Sequence, residues 1–183
     1  EALMVSDVGQ NQMWEAQYYL HCRPRGLITS GGLGTMGYGL PAAMGAAVGC
    51  PDANVWVVAG DGGFQMTLQE LATVVQESLP IKMAILNNGY LGMVRQWQEL
   101  FFNKNYAGTP ILGPDFARVA EAYGVPGITV TEKGQVVGAI QRAMSTPGPV
   151  LIDFQIEREQ NVFPMVPVGR PIDEMIRRPS MNW

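Results

Sequence analysis

Cysteine and histidine are nearly missing from this chain: its 183 residues include two cysteines, Cys22 and Cys50, and a single histidine, His21. That excludes a disulfide framework. The cysteines lack ligand spacing and His21 lacks further ligands beside it, so no zinc-type centre is read either, and the scarcity suits a reducing compartment. Charge is also sparse, at 15% of residues with a formal net charge of -4, which leaves no basic footprint for nucleic acid. No apolar run approaches the roughly 20 residues needed to span a bilayer. The first residues carry neither a basic apolar signal nor an Arg- and Ser-rich transit segment, so a cytoplasmic protein is expected, or a plastid or mitochondrial one if eukaryotic. Repeats and low-complexity inserts are missing, and neither length nor a compositional break asks for two domains.

What is present is an alternation of strand and helix patterns. Strands are expected over 2–8, 26–30, 55–59, 81–86, 128–131 and 150–156. Helices are expected over 12–20, 40–48, 91–102, 115–123 and 135–144, the second made mostly of small residues. This order predicts an α/β fold with three layers, a mainly parallel sheet covered by helices on both faces, over residues 1–157. The Pro-rich remainder, 158–183, reads as an extended C-terminal arm.

Two polar tips stand out. Gly60-Asp61-Gly62 ends the apolar run Val55 to Ala59, and after twenty-four residues Asn87-Asn88 ends the run Ile81 to Leu86. Between them Thr67 and Glu70 have capping-box spacing, Leu68, Leu71, Ala72 and Val75 form one apolar stripe, and Pro80 stops the helix. A right-handed strand-helix-strand crossover would bring both tips to the carboxyl edge of a parallel sheet, where such folds bind ligands. Asp61 offers a charge and Asn88 a neutral oxygen, as magnesium requires when it shares its octahedral shell with phosphate oxygens. Glycines 60, 62 and 63 would let the backbone approach those phosphates with no Cβ in the way.

Other features admit two readings. Gly32, Gly34 and Gly37 match G-x-G-x-x-G and raise a nicotinamide or flavin domain, but Asp52, near the distance expected of a ribose ligand, sits in a Pro-Asp-Ala-Asn turn. Met36 could be plain packing. Met93 and Trp97, with Val94 alongside, share a helix face that is either core or the wall of a pocket.

The spacing of Gly60-Asp61-Gly62 and Asn87-Asn88 resembles the signature of thiamine diphosphate enzymes, as does the whole segment GDGGFQMTLQELATVVQESLPIKMAILNN. SGGLGTMGYGLPAAMGAA, LGMVRQWQELFF, GPVLIDFQI and VFPMVPVG are similar to the C-terminal cofactor domain of the acetohydroxyacid synthase (acetolactate synthase) catalytic subunit, from Val8 to Gly169. The magnesium motif points only to the superfamily, and Gly92 to Trp97 carry the finer likeness. The resemblance implies thiamine diphosphate and Mg2+ as cofactors, with Asp61, Asn88 and the Tyr90 carbonyl on the metal. Val8 and Gln10 would meet the diphosphate end together with Gly60, Gly62 and Gly63. Gly34 would offer its carbonyl to the aminopyrimidine, whose amino group must lie against the reacting carbon. Met36 would wedge beneath the bent cofactor, with Leu91, Gly92, Met93 and Val94 also in contact. Asn11 stands where relatives often have histidine. Met93, Val94 and Trp97 would line the substrate channel, and Trp97 would shape the choice of second substrate.

The implied reaction decarboxylates pyruvate and joins the two-carbon unit to a second 2-keto acid, giving 2-acetolactate or, with 2-ketobutyrate, 2-aceto-2-hydroxybutyrate, which feed branched-chain amino acid biosynthesis. No residue singled out is a general acid or base. In the family the activating carboxylate lies on a pyrimidine-binding domain of a neighbouring subunit and a middle domain holds FAD. Neither has a match in these residues, so the chain is expected to be a fragment or separate cofactor domain, inactive in carboligation by itself and holding no FAD. A homo-oligomer and a regulatory subunit are the partners implied. The equivalent domain of pyruvate oxidase or glyoxylate carboligase, and a noncatalytic binding module, stay open as alternatives. Val162 to Gly169 resembles an arm that folds over the active site.

Overall fold

The structure, a computed structural model, describes residues 2–22 and 24–178. Six strands form one sheet: β1 (Ala2–Ser6), β2 (Leu27–Thr29), β3 (Asn54–Gly60), β4 (Lys82–Asn87), β5 (Gly127–Val130) and β6 (Val150–Gln155). Every pairing is parallel, in the order β2-β1-β3-β4-β6-β5. Side chains alternate across the sheet, and both faces are apolar, as a covered parallel sheet requires. Leu3, Val5, Val57, Ile85 and Leu151 point to one core, while Met4, Trp56, Ala84 and Ile152 point to the other.

The helices divide between the faces. Helices α2 (Gly39–Gly49), α3 (Asp61–Gln65), α4 (Leu71–Gln76) and α6 (Phe116–Ala122) cover the first core through Leu40, Phe64, Leu71 and Phe116. On the second face α7 (Val136–Ser145) contributes Ala139 and Ala143. Helices α1 (Gln10–Tyr18) and α5 (Gly92–Phe101) come after β1 and β4. The three-layer α/β architecture therefore agrees with the sequence pattern. Chain leaving β1 turns to β2 on one side, and chain leaving β3 turns to β4 on the other, which opens a crevice between the carboxyl ends of β1 and β3.

Local details differ. β1 stops at Ser6, and α1 starts at Gln10 rather than residue 12. The Gly-Asp-Gly tip passes directly from strand to helix, with Gly60 ending β3 and Asp61 and Gly62 opening α3. The Thr67-Glu70 capping box does not form, because the Thr67 hydroxyl donates to the Gly37 carbonyl at 3.3 Å and a 3-10 turn, Leu68–Glu70, intervenes before α4. That break shifts the helix phase, so Leu71 and Val74 are buried while Ala72 and Val75 face solvent. A capping box does form at Glu132 and Gln135, ahead of α7. Lys82, inside an apolar strand, is buried; its Nζ donates to the carbonyls of Thr146 (2.7 Å) and Gly148 (2.6 Å) at the end of α7, and burial lowers its pKa.

Residues 158–178 are not an extended arm. They double back, with Met165 and Ile176 exchanging backbone hydrogen bonds of 2.9 and 2.7 Å, while 179–183 lie outside the described residues.

One glycine decides how closely helix and sheet approach. A Cβ on Gly127 of β5 would stand 2.7 Å from the Ala117 Cα of α6, and backbone cannot step aside. Gly127→Ala is expected to destabilise by about 1–3 kcal/mol through overpacking. Gly138 in α7 has open space around it, so Gly138→Ala is expected to stabilise by about 0.5–1 kcal/mol. Urea midpoints of the two variants check both signs.

Candidate functional site

The site begins with a residue that the sequence pattern did not single out. Asp7, directly after β1 and 1% exposed, accepts from Val8 N (2.8 Å) and Gly37 N (3.1 Å) on Oδ1 and from Gly39 N (2.7 Å) on Oδ2. It thereby ties the end of β1 to the glycine-rich segment and the start of α2. A Cβ on Gly63 would collide with its carboxylate, as would one on Gly39. An acidic residue ending a buried strand just before a glycine was the available signal.

Across the crevice, Asp61 opens α3 with 1% exposure. Its Oδ2 accepts from Gly89 N at 3.1 Å, which binds the tip of β3 to the loop after β4. Burial pushes the Asp61 carboxyl up to about 6, opposed by the backbone amides of Asp61, Asn88, Gly89 and Gly62. Asp61 makes no ion pair among the described residues. Asn88 is also buried: its Oδ1 accepts from Tyr90 N at 3.0 Å and its Nδ2 donates to Gln10 Oε1 at 3.2 Å. Asn87 turns elsewhere, donating to Asp153 at 3.5 Å, so only the second asparagine of the pair reaches the crevice. Residues 109–111 strap the loop, with Leu91 N donating to Thr109 O (2.8 Å) and Ile111 N to Gly89 O (3.0 Å). Arg158 lies over the Tyr90 ring, 4.8 Å from its centroid.

These groups line one cleft. Val8, Gln10 and Met36 meet there with Gly60, Asp61, Gly62 and Gly63, and with Asn88, Tyr90, Leu91, Gly92, Met93 and Val94. Of the cofactor contacts expected from the sequence, Gly34 alone falls outside the lining; it is exposed, with a left-handed φ of 64°, and neighbours Val8. Asn11 and Trp14 line the cleft as well. The cavity encloses only about 50 Å³, against roughly 300–1,000 Å³ for a typical ligand pocket, so these walls form a shallow half-site.

The glycines at 60, 62 and 63 also have a role within the protein. Cβ atoms at 62 and 63 would strike Leu91 (2.9 Å) and the Asp7 carboxylate, and one at 60 would come within 3.3 Å of Asn11 Oδ1. The missing side chains make room for Leu91 and for the Asp7 carboxylate.

Helix α5 is polar inside and apolar outside. Arg95 and Gln96 are buried, whereas Val94 is 46% and Trp97 37% exposed. The Met93-Trp97 stripe is therefore not core: Met93, Val94 and Trp97 line an open groove beside the cleft, and Trp97 packs edge-on against Phe101 at 5.4 Å. Arg95 and Gln96, missed in the sequence because a polar pair on an amphipathic helix reads as its solvated face, hold residues 159–165. Gly32, Gly34 and Gly37 do precede α2, but Asp52 lies in the turn before β3 and not at a strand end, so a dinucleotide fingerprint lacks its acidic partner. His21 pairs with buried Glu15 at 2.9 Å.

The donor chemistry fits a small hard cation. A buried carboxylate without a cationic partner, an amide oxygen and the Tyr90 carbonyl, which accepts no backbone hydrogen bond among the described residues, are all oxygen ligands. Among the described residues no cluster of three or more His, Cys, Asp or Glu could hold a metal, so such an ion would depend on this mixed set.

Comparison with known proteins places these features in a group. Residues 7–154 match the family described as thiamine pyrophosphate enzyme, C-terminal TPP binding domain. The chain is 46% identical over 181 residues to the acetolactate synthase isozyme 2 large subunit of Escherichia coli (strain K12), covering 98% of this chain and 33% of that protein. It is 47% identical over 183 residues to the chloroplastic acetolactate synthase 2 of Nicotiana tabacum, covering 96% and 28%. For the acetolactate synthase of Mycobacterium bovis the identity is 46% over 181 residues, covering 96% and 29%. The chain thus spans about a third, or somewhat less, of the length of these relatives.

The raised Asp61 carboxyl has a thermodynamic signature. Between about pH 4 and 6 the folded protein keeps a proton that the unfolded chain has released, so stability falls as pH rises through that window. Without metal, wild type is expected to lose on the order of 2 kcal/mol more than Asp61→Asn across it. Urea midpoints of both proteins in chelator at pH 4.5 and 7 test this; parallel losses would contradict it.

Proposed function

The chain belongs to the thiamine pyrophosphate enzyme family, as its C-terminal cofactor-binding domain, and from that premise we propose that it holds the magnesium diphosphate end of thiamine diphosphate in an acetolactate-forming carboligase. The observation carrying this reading is the buried Asp61 carboxylate, unpaired among the described residues and joined through Gly89 N to the loop that presents Asn88 and Tyr90. Asp61, the Asn88 amide oxygen and the Tyr90 carbonyl hold Mg2+. Val8, Gln10, Leu91, Gly92 and the backbone at 60–63 surround the diphosphate, while Met36, Met93 and Val94 flank the rings. Gly34, exposed and outside the cleft lining, would offer its carbonyl to the cofactor.

Thiamine diphosphate supplies the electron sink needed to release carbon dioxide from a 2-keto acid and pass on a two-carbon unit. This chain's residues bind and orient it. A carboxyl that burial holds near 6 is mainly ionised at neutral pH, and a bound cation would keep Asp61 ionised below that as well. Apolar walls at Met36, Met93 and Val94 would exclude water once a second chain or domain closes the cleft. Trp97, beside them on the open groove, selects the second keto acid.

Pyruvate as donor and acceptor is supported by the similar proteins being named acetolactate synthases, and 2-ketobutyrate is the second acceptor proposed. The shallow cleft and the exposed Val94, Trp97 and Phe102 support a second chain or domain closing it, in a homo-oligomer. FAD and a regulatory subunit would contact other parts of the enzyme. Among the described residues no helix is long and apolar enough to cross a membrane.

Calorimetric titration of thiamine diphosphate with and without Mg2+ tests the site. Binding is expected to depend on metal and to weaken at least about 100-fold in Asp61→Ala; unchanged affinity would reject the assignment. In the full-length enzyme, Trp97→Leu is expected to change the ratio of the two acetohydroxyacid products while leaving cofactor affinity within about twofold.

A further inference from the structure

An amide side chain can present its oxygen or its nitrogen to a site, and what decides is the partner at its other end. For Asn88 the partners are Gln10 and the backbone of Tyr90: Asn88 Nδ2 donates to Gln10 Oε1 at 3.2 Å, and its Oδ1 accepts from Tyr90 N at 3.0 Å, which leaves the oxygen's second lone pair for the site. Gln10 is oriented in turn, because its Nε2 donates to Gln96 Oε1 and to the Gln160 carbonyl, both at 2.9 Å. Gln96 meets the backbone of Val162 at both ends: its Oε1 accepts from Val162 N at 2.7 Å and its Nε2 donates to Val162 O at 2.9 Å. A backbone amide cannot exchange its donor and acceptor. Val162 therefore sets the direction of Gln96; Gln96 and the Gln160 carbonyl, on the segment that Gln96 holds, together set that of Gln10; and Gln10 with Tyr90 N sets that of Asn88.

Burial makes the sequence of contacts rigid. Gln96 and Val162 are fully buried, Gln10 is 4% exposed and Asn88 7%. Reversing any one amide would set donor against donor with no water to relieve it. Gly92 shows how closely the relay is packed, since a Cβ there would stand 2.8 Å from Asn88 Nδ2 and nearer still to Gln10 Oε1.

We infer that Gln96 is a positioning residue that, through Gln10, aims the Asn88 oxygen at the metal, and that the same side chain makes docking of residues 159–165 and binding of the metal one coupled equilibrium. The inference rests on the proposed role of Asn88 as a ligand. Coupling runs both ways: a docked segment strengthens metal binding, and bound metal protects the segment. Gln96 itself is not among the residues that line the cleft.

The test uses the full-length protein, with Mn2+ as probe in the presence of thiamine diphosphate and free Mn2+ read by electron paramagnetic resonance. Gln96→Met, of similar volume, is expected to raise the Mn2+ Kd by about 10- to 100-fold, the range for partners that orient a metal ligand. Hydrogen exchange of 159–165 is expected to slow in wild type when Mn2+ and cofactor are added, and not to respond in Gln96→Met. An Mn2+ Kd within twofold of wild type, with the segment loosened, would make Gln96 a mere structural clamp and overturn the inference. Should Gln96→Met fail to fold, wild type alone decides: exchange at 159–165 that is the same with and without Mn2+ and cofactor also overturns it. Failure of the underlying reading looks different, because wild type itself would then show no cofactor-dependent Mn2+ binding.

Discussion

A single buried carboxylate organises the carboxyl edge of this sheet. Asp7 receives the amides of Val8, Gly37 and Gly39, charge-assisted bonds that stabilise more than neutral ones once water is excluded. Through them two chain segments distant in sequence converge: the turn from β1 into α1, and the glycine-rich stretch where it enters α2. The same carboxylate fills the space that a Cβ on Gly63 would need, so the position of α3, and Asp61 with it, depends on Asp7 being where it is. The crevice that sheet topology opens between β1 and β3 gains a fixed shape from this contact.

Much of the fold was legible because a covered parallel sheet writes its burial into sequence. Val55 to Ala59 and, apart from Lys82, Ile81 to Leu86 are apolar on both faces, which marks them as strands of a covered sheet. Helix phase was less legible. The stripe containing Ala72 and Val75 is a sound pattern for one continuous helix, but Thr67 bonds to Gly37 instead of capping, and the resulting 3-10 turn rotates the helix after it. That outcome depends on a contact thirty residues away. Lys82 escaped notice for a related reason: its strand is buried, and only the distant end of α7 offers its ammonium partners.

The cleft was legible where a residue type carries chemistry by itself. Asp61 and Asn88 sit at strand tips with the spacing of a crossover, and their surroundings come with them by adjacency in sequence. Asp7, Gln10's orientation and Gln96 were harder, because their meaning lies in what they touch. Gln10 and Gln96 are 86 positions apart, and Gln96 and Val162 are 66 apart. On a helix whose neighbours are Val94 and Trp97, a glutamine looks solvated. Here it is the aromatic side that is open and the polar side that is packed, since the partners of α5 are backbone groups of the segment beyond β6.

The strand order carries one more implication. The two strands whose outer backbone is open, β2 and β5, have three and four residues, whereas β3, β4 and β6, with six or seven, lie in the interior. A foreign strand seeking to extend the sheet would find only a short ladder at either margin, with Gly127 weakening one of them. The longest and most apolar strands, which would be the best templates for aggregation, are thus kept out of reach by their place in the sheet and not by their composition.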